Sequence, residues 1–414
     1  MLKKLKLDYF SEIKSSSDGF YLFSAQVLTI GISFISLLVT TRFLKIEVRG
    51  DFVTLSAFIG LVALAFDAGN GFAFSKAFAR YKRQRHNLIT VLYLIILAKF
   101  IFLGLFSFLI AHLKSFIPFG VAFKSELIMI AFLASTNILF LSLITPIILI
   151  VRNLKSYGAS LVLFSAAGFT GLSFSLIFFE ATIKNVLLGQ ILFEFFALVL
   201  IIASVRFIFK RPTKIQKNLV IRIFSDGLFI WISSLSNFIN SKSIIFIIAL
   251  SANSTTIAIF SVVFAIMDKI WLIGDVLGTQ LFKKQANQAN FQLASLFESL
   301  KLNSGLVISI NLLLFFSLPM ILDVLFPAAY SSAFTYFLPM AIWSFFVSSW
   351  RIMWLVLNAY NTALASKINF IGAMVNIVIL YVALENFNLA IGLYAFPISS
   401  CVCCIFGLKK IKEI

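Results

Sequence analysis

The chain has 414 residues, 61% hydrophobic and only 12% charged, with a mean hydropathy of +1.04 and a formal net charge of +18. Soluble domains are about 45–50% apolar, so a large soluble core is excluded and an integral membrane protein is predicted. The basic surplus calls for no nucleic acid, because its distribution along the chain is the kind that sets membrane topology.

A helical span needs about 20 apolar residues. Runs of that kind lie at roughly 20–41, 52–73, 88–111, 127–150, 158–179, 186–207, 228–250, 257–281, 303–325, 334–357, 368–384 and 388–407. The expected fold class is therefore an all-α integral membrane protein of about 12 transmembrane helices. The first run is too long for a cleavable signal peptide and lacks a small-residue cleavage site, so it is expected to remain as an anchor. With that terminus cytoplasmic, Lys3, Lys4, Lys6, Lys14, Lys76, Arg80, Lys82, Arg83 and Arg85 fall inside. The opposite side collects only Arg42, Lys45, Arg49, Lys114, Lys124 and Lys184. This asymmetry predicts that both termini are cytoplasmic.

Several ionisable residues interrupt these runs. A charge at the centre of a span costs roughly 2.5–3.5 kcal/mol on insertion scales, so lipid-facing positions are excluded for them. In the second run Asp67, Asn70 and Gly71 share a helical face. Lys99 lies roughly 16 Å into the third span, beyond snorkelling reach. It either binds an anionic substrate or pairs with Asp67 or Glu194, the latter from the sixth run.

A basic segment at 208–222 divides the spans, giving lobes over 1–207 and 223–414. An ungapped shift pairs Phe52 with Phe260, Asp67 with Asp275 and Lys76 with Lys284, a modest internal repeat. Even-numbered halves keep one orientation, so two pseudo-symmetric six-helix lobes around a central cavity are expected.

The second half repeats the pattern of buried charge. The seventh run carries Ser233, Asn237, Asn240 and Ser241 on one face, with Lys242 at its flank. In the eighth, Asp268 and Asp275 share a face, with Lys269 about 100° round the helix. Such acids either take up H+ or Na+ or pair with nearby lysines. The tenth has a stripe of Ser344, Ser348, Arg351 and Asn358, flanked by Trp343, Trp350 and Trp354. Arginine offers a planar fork to phosphate oxygens, and tryptophan either stacks on a sugar or anchors at the interface. Pro146 and Pro319 mark kinks or hinges. Cys401, Cys403 and Cys404 crowd the last run with neither zinc nor disulfide spacing, and read as small apolar filler. The sequence offers no phosphate loop, metal-spaced histidine cluster or nucleophile–base pair, so neither an ATP-driven pump nor an enzyme is expected.

Arg42-Phe43-Leu44 with Gly50 and Phe52, then Phe66-Asp67-Ala68-Gly69 and Lys76-Ala77, form one set of short motifs. Leu325-Phe326-Pro327 with Tyr330 and Ala333, Leu357-Asn358-Ala359, Asn376, Gly392 and Ser399 form another. Together they resemble the O-antigen and related glycan flippases (Wzx-type translocases) of the multidrug/oligosaccharidyl-lipid/polysaccharide exporter superfamily. The resemblance implies alternating-access translocation of an undecaprenyl-diphosphate-linked oligosaccharide across the bacterial inner membrane, for O-antigen, lipopolysaccharide or other surface polysaccharide. It also implies association with polysaccharide polymerase machinery and no resident cofactor. On that basis Lys99, Arg351, Lys269 and Lys242 are expected to hold the diphosphate, with Trp350 and Asn376 also in the substrate site. Asp67, Asp268, Asp275 and Glu194 are expected to balance charge or couple to H+ or Na+. The competing readings are a cation-coupled multidrug exporter of the same superfamily and a membrane glycan polymerase. Cationic drugs call for an acidic cavity, and polymerases for long carboxylate-bearing loops.

Overall fold

A computed structural model describes residues 17–67, 85–112, 125–151, 154–205, 217–251, 253–286, 293–386 and 389–413, with a few positions between 69 and 77. The first six apolar runs form α1 Ser17–Phe43, α2 Ile46–Asp67, α3 Arg85–His112, α4 Ser125–Val151, α5 Leu154–Phe178 and α6 Ile183–Ser204. The seventh run lies in α7 Lys217–Ser251, and the eighth in α8 Ser254–Met267 with α9 Leu272–Ala286. The ninth forms α10 Leu293–Leu325, followed by a 3-10 helix at Ala328–Tyr336. The last runs form α11 Phe337–Tyr360, α12 Thr362–Asn386, α13 Leu389–Gly392 and α14 Ala395–Ile411. Among the described residues, 8 helices are long and apolar enough to cross a membrane, or up to 9 when α8 and α9 count as one bent span. The cations at 76–83, expected on the cytoplasmic side, and most of the 208–222 segment lie outside the described residues.

Local chemistry sets several boundaries. Thr182 accepts a hydrogen bond from the Asn185 amide (3.3 Å) to cap α6, and Asn253 accepts one from Thr256 (2.9 Å) to cap α8. The helix α2 ends at Asp67 because Gly69 adopts φ 64°, a left-handed conformation that only glycine takes without strain. Asp67 therefore terminates a helix instead of sharing a continuous face with Asn70 and Gly71, and Asn70 lies outside the described residues.

The eighth span also departs from expectation. It breaks at residues 268–271 with a 40° bend between α8 and α9. There the amides of Lys269, Ile270, Leu272 and Ile273 bond to carbonyls three residues back, at 3.1–3.3 Å, in 3-10 fashion. Asp268 and Asp275 consequently belong to different helices and different partners.

The main packing joins α1 to α5, α5 to α6, α2 to α4 and α4 to α6 in the first half. In the second, α7 packs on α12, α9 on α11, and α11 and α12 on α14. Chains of small polar side chains fasten these helices. Asn376 donates to the carbonyls of Ile239 (3.4 Å) and Asn240 (3.3 Å), and Ser366 bonds the Phe229 carbonyl. In a membrane such contacts hold helices together where hydrophobic burial between them gives little.

Between the halves, α2 lies against α8 at one end and against α7 further along. Gly50 makes the first contact possible, since a Cβ there would sit 1.9 Å from the Ser254 carbonyl oxygen. Ser254 Oγ donates to Asp51 (2.6 Å), and Arg42 donates to the Leu325 carbonyl (3.2 Å) at the same end. Towards the other end, Trp231 Nε1 donates to the Leu64 carbonyl (2.9 Å). The seam is thus tied on both sides of its middle.

Candidate functional site

A cavity of about 650 Å³ lies along this seam. The first half contributes parts of α1, α2, α5 and α6, and the second contributes α7, α8 and the α8–α9 break. Its charged residues are Arg49, Lys242 and Lys269 against Glu194 and Asp268.

The break supplies the cationic wall. Lys242 Nζ lies 3.4 Å from Asp268 and 4.2 Å from the centre of the Phe264 ring. Trp271 Nε1 donates to the same carboxylate (3.1 Å), fixing it from the far side of the turn. Among the described residues, no carboxylate lies within ion-pair distance of the neighbouring Lys269. Lys269 lines the cavity and shares the field of Asp268 with Lys242 without pairing directly to it, so its ammonium is the less compensated of the two toward an anion there.

On the opposite wall Gln190 Nε2 donates to Glu194 Oε1 (2.7 Å). The carboxylate lies against Gly168, where a Cβ would stand 2.8 Å from that oxygen. Asn137, which donates to the Ile191 carbonyl (2.9 Å), approaches from α4. Sequence reasoning placed Glu194 among the ion-coupling or charge-balancing acids, and the structure brings it to the cavity.

Sequence reasoning gave Arg49 no role beyond a charge outside the spans. It is instead 2% exposed in the first turn of α2. Its Nη1 donates to the Ala258 carbonyl (2.6 Å) and to Ser261 Oγ (2.8 Å), while the guanidinium lies 5.3 Å from the Tyr330 ring centre. It thereby clasps α8 to α2 at the end of the cavity. The available signal was an arginine beside Gly50, a small residue at a close helix crossing.

Lys99 and Arg351 do not line the cavity. Lys99 lies 3.3 Å from Asp67, which also accepts from Ser142 Oγ (2.8 Å), so of its open alternatives the Asp67 pair is observed. Arg351 Nε bonds Asp275 (2.7 Å), and its guanidinium is held between the rings of Trp271 (5.0 Å) and Trp354 (4.5 Å). Each cation is consumed by its own acid, so the expected single chamber shared by all of them is corrected.

Trp350 and Asn376 do not line the cavity either. Trp350 Nε1 donates to Asn369 (2.6 Å), and Asn376 is fully buried against α7. Interfacial anchoring is corrected for Trp343 and Trp354 as well. Trp343 stacks on Phe264 inside the core, and Trp354 donates to Ser233 (2.6 Å). The rest of the α11 stripe fastens helices: Ser348 donates to Asn303 (2.7 Å), and Ser344 exchanges hydrogen bonds with Asn311.

A largely apolar cavity with a few charged residues lies on the seam of a multi-pass helical bundle, and solved transporter structures share this fold. A MATE transporter in complex with MaL6 matches with a TM-score of 0.70 at 12% identity, covering 96% of this chain and 97% of that one. The lipid II flippase MurJ, in an inward closed conformation, matches with a TM-score of 0.66 at 16% identity, covering 95% and 87%. A MOP superfamily transporter from Pyrococcus furiosus, described as having a binding pocket of reverse polarity, matches with a TM-score of 0.65 at 11% identity, covering 96% and 95%. No curated protein sequence matches the chain. The family of polysaccharide biosynthesis proteins matches residues 16–273, and the chain belongs to that family.

Proposed function

We propose that this protein is a flippase that moves an undecaprenyl-diphosphate-linked oligosaccharide across the bacterial inner membrane by alternating access, with both termini cytoplasmic. The observation that carries this reading is Lys269 beside the Lys242–Asp268 pair, at a helix break inside the cavity of a polysaccharide biosynthesis family member. A lipid diphosphate must cross a region of low dielectric, and fixed cations there offset the loss of its hydration. The cavity, at about 650 Å³, is of ligand-binding size. The cavity's three cations, Arg49, Lys242 and Lys269, outnumber its two acids, Glu194 and Asp268, which favours the anionic substrate over the multidrug-exporter reading.

The phosphate-binding role accordingly rests on Lys269 and Lys242. Asp268 positions Lys242, while Asp67 and Asp275 hold Lys99 and Arg351. The test is translocation in proteoliposomes of an undecaprenyl-diphosphate oligosaccharide, followed by its exposure to an impermeant periodate reagent. Replacing Lys242 and Lys269 together by alanine is expected to slow translocation by about tenfold or more, since charge-assisted hydrogen bonds contribute about 1.5–3 kcal/mol each. An unchanged rate, or faster movement of a cationic dye than of the lipid, overturns the reading.

A further inference from the structure

Resting on the anionic-lipid reading above, we propose that Glu194 and Gln190 form a sugar-binding wall facing the phosphate-binding wall at Lys242 and Lys269, so that the cavity orients its ligand. The two walls differ in hydrogen-bonding sense. Ammonium groups only donate, which suits phosphate oxygens, whereas an ionised carboxylate only accepts.

On the first-half wall three serine hydroxyls are already engaged within the protein. Ser33 donates to the Thr29 carbonyl (2.8 Å), Ser36 to that of Ile32 (2.8 Å) and Ser56 to that of Phe52 (2.7 Å). Gln190 gives one amide hydrogen to Glu194 (2.7 Å). The capacity left on these cavity-lining groups is dominated by acceptor oxygen lone pairs. Around Glu194 such a surface repels phosphate oxygens, which accept only, and complements the hydroxyl donors of a glycan, while the cation of that half, Arg49, is directed to Ala258 and Ser261 at the end of the cavity. Phe164 on the same wall adds an apolar face for the C–H surface of a pyranose ring.

Glu194 is held for this role. Its residue is 6% exposed, Gln190 anchors one oxygen, and Gly168 leaves the room that the carboxylate occupies. Asn137 also bonds this carboxylate, and because a carboxylate withdrawn from water has room for further donors, glycan hydroxyls would supply the remainder.

The test compares two probes on the purified full-length protein in nanodiscs: undecaprenyl diphosphate, and the same lipid carrying a hexose trisaccharide. The wild type is expected to prefer the conjugate. Glu194→Gln and Gln190→Ala are each expected to weaken conjugate binding by about tenfold, leaving the sugar-free lipid within about twofold. An unchanged ratio in both variants, an equal loss for both probes, or a wild type with no preference overturns the sugar wall. So does a Glu194→Gln variant that loses only the pH dependence of translocation, which would make Glu194 a proton carrier. Lys269→Ala separates the two readings. It is expected to weaken both probes, and no loss for either ends the phosphate assignment while the ratio still reports on Glu194.

Discussion

Arg351 is flanked by two indoles and closed off by Asp275, an arrangement that uses both the charge and the plane of its guanidinium. Lysine has the charge without the plane. Arg351→Lys is therefore expected to lower stability by about 1–3 kcal/mol, read from thermal unfolding in detergent. Affinity for undecaprenyl diphosphate should stay within about twofold, because the residue stands outside the cavity. A stable variant that has lost the lipid would return Arg351 to the phosphate site. That individual charges lie within apolar runs was legible in the sequence, since the cost of burying them demands an explanation. Which acid answers which base was not. Lys99 had two candidate carboxylates, and only the position of Asp67 at a helix end, beside Ser142 of α4, decides between them. Tryptophan was misleading for a related reason. Its polar handle suits an interface, but in Trp350 and Trp354 that handle is satisfied internally by Asn369 and Ser233.

The helices themselves were largely legible, because most of the apolar runs fall on a single helix, and the eighth on a bent pair. Their ends were less so. The helix α10 begins at Leu293, where the apolar run was read from 303, because amphipathic turns extend a helix past the hydrocarbon boundary. The break at 268–271 carries neither glycine nor proline, the usual signals for interrupting a helix. It is held by side-chain contacts instead, with Lys242 from α7 and Trp271 from within the break both on Asp268. Close helix approach is more predictable. Gly50→Ala would drive a methyl against the Ser254 backbone, and separating α2 from α8 is expected to cost about 1–3 kcal/mol. Thermal unfolding measures this, and an unchanged midpoint would mean that the two helices do not need their contact.

At the scale of the molecule, the repeat seen in the sequence placed Asp67 opposite Asp275, and both turn out to hold a basic residue within their own half. The cavity between the halves was expected from the architecture, while its actual lining was not, because the crossing of α2 over α8 decides what faces inward. The alternating access proposed above would require that crossing to open. With Cys401, Cys403 and Cys404 replaced by alanine, Asp51→Cys and Ser254→Cys joined by a short bis-thiosulfonate reagent should stop translocation until reductant is added. Full-rate translocation by the cross-linked protein would exclude opening at that end. The severed eighth span bears on how such opening is accommodated. Of its two arms, α8 leans on α2 across the seam, whereas α9 is locked to α11 by Gly274, where a Cβ would stand 2.1 Å from the Ser348 carbonyl. A continuous rod would have to drag that second arm along. Divided at residues 268–271, it forms an elbow: when the α2–α8 crossing parts, the forearm can swing away from α2 while the upper arm stays bolted to α11, with Asp268 and Lys269 at the joint.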